Sequence, residues 1–200
     1  AAPFDFDFHP DAIAEFRRWL ERDLFGTLNA LNAAWGTGHK SWAEIQPYRT
    51  SEALHLLADG RLSFGPWTAF RAFQDATLAK ALKEGGRILR ETDAQARTGI
   101  TGALGPSAFG GWDWARLADC LDICEAYNIG GARELWRDLA PGKPALAVIP
   151  LSADPQALPG ALRSLWGLAL EGGPRAALLW DEARGEGNDT KRFLLTPEGQ

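Results

Sequence analysis

Two stretches of this 200-residue chain set carboxylates beside aromatic or polar groups at spacings that could do chemistry. Residues 121–126 read as a strand running into Glu125-Ala126-Tyr127-Asn128. A two-residue period puts Glu125 and Tyr127 on one face and Cys124 and Ala126 on the other. A carboxylate turned into an apolar helix layer would be buried unpaired at heavy cost, so Glu125 is expected at a solvent-facing mouth. There it would serve as a catalytic or substrate-contacting carboxylate, with Tyr127 orienting it. An ion pair with Arg116 or Arg133 at the rim accounts for Glu125 equally well.

The second stretch, residues 176–180, runs into Asp181-Glu182-Ala183-Arg184. Alternation sets Trp180 and Glu182 on one face and Asp181 on the other, so the acidic neighbours are not themselves a catalytic pair. Trp180 offers a flat apolar face for the C–H surface of a sugar ring, and the carboxylates beside it accept hydroxyl hydrogen bonds. Arg184 opens a polar connection suited to the substrate side of a cleft. Trp112, in Phe109-Gly110-Gly111-Trp112-Asp113-Trp114, either lines that cleft or anchors its loop to the core, with Asp113 placed to cap the following helix.

Other chemistries find little support. Gly102-Ala103-Leu104-Gly105 lacks the Lys-Ser or Lys-Thr ending of a phosphate-binding loop, and Ser107, Ser152 and Ser164 have no nearby histidine to activate them. Cys120 and Cys124 are the only cysteines, and with three histidines elsewhere they read as free thiols. No metal and no cofactor is expected. A net charge of -5 with 21 scattered Lys and Arg argues against a nucleic-acid partner. No apolar run approaches the roughly 20 residues that span a bilayer, which argues against a membrane. Nine tryptophans and no methionine suggest a segment processed or cut from a longer chain, whose work involves aromatic surfaces.

The elements that must hold these residues fall into two rhythms. Over residues 1–97 the pattern is helical. Pro10 and Asp11 start a helix carrying Ile13, Phe16, Trp19, Leu20 and Leu24, closed by Gly26. Thr27 caps a second helix ending at Trp35-Gly36, and a helical turn is expected near Ser41 to Ile45. A long helix runs from Pro66 to about Glu91, with Gly85-Gly86 threatening a break. Over residues 98–200, strands near 98–102, 121–126, 144–149 and 176–180 alternate with helices at 112–119, 131–139 and 157–171. That alternation predicts βαβ units and a parallel sheet. Four strands are half of a closed barrel, which takes about 250 residues. A small independent α/β domain, with its tryptophans only in the core, is the alternative.

Phe16-Arg17-Arg18-Trp19-Leu20, then Thr27-Leu28-Asn29-Ala30-Leu31-Asn32-Ala33-Ala34-Trp35-Gly36-Thr37, then Ser41-Trp42 and Ile45-Gln46-Pro47 resemble the insertion that follows the fourth barrel strand in glycoside hydrolase family 42. That family holds β-galactosidases and related retaining enzymes. The resemblance covers nearly the whole chain, strongly over residues 16–47 and loosely afterwards. It implies an α/β fold, a (β/α)8 TIM-barrel glycosidase to which this chain contributes strands five to eight plus a helical insertion. It also implies a carbohydrate substrate and two carboxylates about 5 to 5.5 Å apart. By the family pattern the acid/base Glu ends the fourth strand, ahead of this chain, and the nucleophile ends the seventh. Residues 144–150, the presumed seventh strand, end without Glu or Asp. Glu125 and Glu182 are then the catalytic candidates, with Tyr127, Trp180, Asp181, Trp112 and Arg184 on the substrate. The alternative is a diverged barrel that binds carbohydrate without cleaving it. The zinc-binding cysteines of some members are absent, Asn32 and Trp35 are expected to brace the insertion, and a homo-oligomer lies within the family's range.

Overall fold

The computed structural model describes residues 5–60, 64–106, 111–126, 131–151, 156, 158–170 and 175–181. By its internal contacts the chain divides into two units, Ala1–Leu82 with Pro106–Arg116 and Lys83–Gly105 with Leu117–Gln200.

In the first unit, His9 caps α1 (Pro10–Trp19), its ring Nδ1 accepting the Asp11 N–H at 3.3 Å. Pro10 sits at the first helical position, where a missing N–H costs nothing. The helix then widens into a π-helical turn, Leu20–Phe25, whose end is marked by a bond from the Gly26 N–H to the Glu21 carbonyl at 2.9 Å. The extra residue in this turn changes which side chain faces inward. Leu24, expected on the apolar stripe, is exposed, and the half-buried Phe25 meets Trp35 edge-on at 5.7 Å between ring centroids.

Thr27 caps α2 (Leu28–Trp35) as expected, its hydroxyl accepting the Ala30 N–H at 3.2 Å. Asn32 closes the loop beyond. Its amide donates to the His39 carbonyl at 2.8 Å, and its oxygen accepts the Thr37 hydroxyl at 2.8 Å and the His39 N–H at 2.9 Å. A single turn of 3-10 helix, Trp42–Glu44, follows. A further helix, α3 (Thr50–Ala58), comes next. Asp5 holds the start of α3 by accepting the Thr50 N–H at 3.0 Å and hydroxyl at 2.8 Å, and the same hydroxyl accepts the Trp67 indole N–H at 3.2 Å.

The long helix α4 (Gly65–Thr92) runs through Gly85-Gly86 without a break. Its first half packs Phe70 and Phe73 against Phe16, with Leu20, Leu31, Trp35 and Ile45 completing a buried core. Gly65 admits no side chain, because a Cβ there would strike the Trp35 indole.

In the second unit, the described strands β1 (Gly99–Ala103), β2 (Ile123–Ala126), β3 (Ala145–Leu151) and β4 (Arg175–Asp181) form one parallel sheet in chain order. The connecting helices are α5 (Trp114–Cys120), α6 (Ala132–Leu139) and α7 (Leu158–Leu170). Asp122 ties the end of α4 to β1: it accepts the Thr98 N–H at 2.8 Å and pairs with Arg90. Lys143 caps the end of α5 by donating to the Leu121 carbonyl at 2.8 Å, and the buried Trp136 of α6 donates to the Pro144 carbonyl at 3.2 Å. Ala161 and Leu168 form the buried face of α7, while Leu158, Leu162, Trp166 and Leu170 on its other side are exposed. Ile88 of α4 is exposed too.

Candidate functional site

Ligand-binding groups in parallel α/β sheets collect where strands end, because the loops there converge on one side. Near the end of β2, Cys124 and Glu125 point to opposite faces, and both are buried. Burial, with the neighbouring Glu125 charge adding to it, pushes the Cys124 thiol up to about 12. Such a thiol stays protonated and unreactive at neutral pH.

Glu125, expected at a solvent-facing mouth, is only 7% exposed. Its charge is compensated from the backbone, since the carboxylate accepts the N–H of Gly102 on the neighbouring strand. Gly102 has φ 71°, and the β1–β2 register shifts between Ile100 and Ala103. A bulge of this kind re-aims a peptide group that would otherwise serve the ladder, and only glycine takes the left-handed conformation without penalty. Arg116, one of the two arginines expected to pair with Glu125, pairs with Asp113 at 3.1 Å.

The strand register shows which candidates share a level. Glu125 pairs with Leu146, and Leu146 with Ala176, whereas Trp180 and Asp181 pair with Pro150 and Leu151. Trp180 is therefore four residues beyond the level of Glu125, about 13 Å along the strand and about 10 Å across it. Glu125 and Trp180 occupy different tiers of the sheet. Asp181 is the last residue of β4, and β3 ends in Pro150 and Leu151, with no carboxylate. Tyr127, Glu182 and Arg184 lie outside the described residues.

Trp112 belongs to the first unit, where it is half-buried and meets Phe6 edge-on at 6.5 Å and 62°. Asp113 caps α5, accepting the Arg116 N–H at 3.1 Å, so its expected role holds. Around them stand three residues of α4 that the sequence did not single out: Arg71, which donates to the Gly111 carbonyl at 3.2 Å, Gln74 and Asp75. Burial pushes the Asp75 carboxyl above the usual range, with the Asp113 N–H, 3.4 Å away, partly opposing it. Their spacing of three and four residues, which puts polar groups together on an otherwise aromatic helix, was the available signal. Trp114, two residues on, is buried in the core.

Among the described residues, no group of three His, Cys, Asp or Glu is arranged to hold a metal ion. No described helix is long and apolar enough to cross a membrane.

Parallel strands in chain order, separated by helices, make this chain part of a (β/α)8 barrel. The crystal structure of the catalytic domain of beta-amylase from Paenibacillus polymyxa matches it with a TM-score of 0.60 at 18% identity, over 86% of this chain and 48% of that one. The chain thus spans about half the length of that domain. It belongs to glycoside hydrolase family 42: the family model described as beta-galactosidase matches residues 3–141. No curated protein matches the chain.

Proposed function

We propose that this chain supplies strands five to eight of a glycosidase barrel that hydrolyses β-galactosides or related glycans. The observation that carries the reading is the family match over residues 3–141. In this reading the helical stretch ahead of β1 is the insertion after the fourth strand, and the acid/base Glu lies on that strand, outside the chain. Glu125 is the leading carboxylate of this half. It is held in one orientation by the Gly102 N–H, which suits a group that must keep its geometry while charge develops on the substrate. Glu182 is the second candidate. Tyr127, Trp180, Asp181, Trp112 and Arg184 contact the sugar.

The test is hydrolysis of a nitrophenyl β-galactoside by the full-length protein. Glu125→Gln is expected to abolish turnover while leaving the fold intact, and near-native rates in that variant would overturn the assignment.

A second reading, a barrel that binds carbohydrate without cleaving it, is favoured by the end of β3 at Pro150 and Leu151, where no carboxylate stands. Saturable lactose binding without hydrolysis would establish it.

A further inference from the structure

Within the first unit, Arg71 and Asp75 stand about one turn apart on α4, at the four-residue spacing that brings two side chains onto one face of a helix. The Arg71 guanidinium donates to the Gly111 carbonyl at 3.2 Å, and the Asp75 carboxylate accepts the Asp113 N–H at 3.4 Å. These are the peptide groups immediately before and after Trp112. Each peptide is planar, so the two that meet at one Cα leave only φ and ψ free between them. Holding both fixes those angles at Trp112, and with them the direction in which its side chain leaves the backbone. The charges match the peptide polarity, a cation on the C=O and an anion on the N–H, and bonds of this kind are stronger than neutral ones. The chain enters Trp112 from Gly111, which is buried and has φ 86°, a conformation that favours glycine. It leaves through Asp113, whose side chain caps α5 and pairs with Arg116. The Trp112 side chain is half-buried, so part of it stays open to solvent.

We propose that Arg71 and Asp75 are positioning residues for Trp112, gripping the peptides on its two sides so that its ring is presented to the substrate in one orientation. The proposal rests on the reading above, in which Trp112 contacts the substrate, and adds to it two residues that act through that ring. A ring already set avoids the cost of ordering it when the ligand arrives. Loosening the grip therefore weakens binding and leaves the chemical step alone.

The experiment uses the full-length protein labelled with 5-fluorotryptophan, the Trp112 resonance being assigned by its loss in Trp112→Phe. In ligand-free protein, Arg71→Met and Asp75→Leu are each expected to shift or broaden that resonance, while Asp75→Asn, which keeps an acceptor, leaves it close to its wild-type place. On a nitrophenyl β-galactoside the first two are expected to raise KM about three- to tenfold with kcat within about twofold, and Asp75→Asn to restore KM. In a Trp112→Ala background neither change is expected to alter KM further. The resonances of the core residues Trp35 and Trp136 report folding, and Arg71→Gln and Asp75→Ser replace any variant that is not folded. An unmoved Trp112 resonance in the folded variants overturns the proposal, as does a KM effect that persists in full without Trp112. Where the wild type does not hydrolyse the galactoside, the affinity for lactose takes the place of KM. Wild-type protein that neither hydrolyses the one nor binds the other sinks the carbohydrate reading, and the positioning role with it, whatever the ligand-free resonance shows; a failure of the grip alone shows instead as an unmoved resonance in protein that still handles sugar.

Discussion

The carboxylate of Glu125 on β2 takes the N–H of Gly102 on β1, at the point where the two strands fall out of register. The bulge and the buried charge therefore depend on each other. Glu125→Ala removes the acceptor and leaves a void, for an expected loss of about 2–4 kcal/mol. Glu125→Gln keeps an acceptor and is expected to lose about 1 kcal/mol. Gly102→Ala forces a side chain into left-handed backbone and is expected to lose about 1–2 kcal/mol. Denaturant midpoints of the three variants check the ordering, and equal stability of Ala and Gln at position 125 would break the link.

Gly65→Ala should be costly for a different reason. A Cβ at this position meets the buried Trp35 indole, which is packed edge-on against Phe25 and has little room to retreat. Overpacking of this kind is expected to cost about 1–3 kcal/mol. A shift in Trp fluorescence accompanying the lower melting temperature would place the strain at Trp35.

Asn32→Leu retains bulk but loses three hydrogen bonds that close the turn from Thr37 to His39. The expected loss is about 1–3 kcal/mol. Amide exchange at His39, whose N–H is held by Asn32, should accelerate while amides of the α4 core stay protected. Unchanged exchange there would show that the turn stands without Asn32.

Acid stability should report on Asp122. Burial pushes its carboxyl up, but bonds from the Thr98 N–H, Arg90 and the Thr98 hydroxyl outweigh this and hold it below its ordinary value of 3.8. A carboxyl depressed on folding stabilises the protein above its unfolded pKa and loses that contribution as pH falls through the folded value. Asp122→Asn is therefore expected to lower stability at neutral pH and to narrow its gap from the wild type below pH 3.8. A gap that is constant across the acid range would refute the linkage.

How far these features can be read in the sequence depends on how local their causes are. Thr27, Gly36 and Asp113 act within a turn of their own helices, and their capping roles follow from residue type. The π-helical turn at Leu20–Phe25 could not be read this way, since Leu24 fits an ideal apolar stripe and only contact with Trp35 selects Phe25. Gly85-Gly86 looked like a break, yet Gly86 is buried, and a Cβ there would come within 3.3 Å of the Thr98 side chain, so a small residue is wanted for packing. The parallel strands were legible as apolar runs between helices. The burial of Glu125 was not, because alternation chooses a face but says nothing of a bulge on the next strand. The tiering of Glu125 and Trp180 likewise depends on pairing register, which neither strand's own sequence specifies.

The boundary between the two units is crossed three times, within α4 after Leu82, between Gly105 and Pro106, and within α5 after Arg116. No single scission yields both parts whole. A protein cut after residue 82 would lack the stretch holding Trp112 and Asp113, and one beginning at residue 83 would carry that stretch away from its own unit. Recombination among barrel genes is accordingly expected to move the helical and sheet portions as a single inherited block, with joints tolerated outside them and not at the point where helix gives way to sheet.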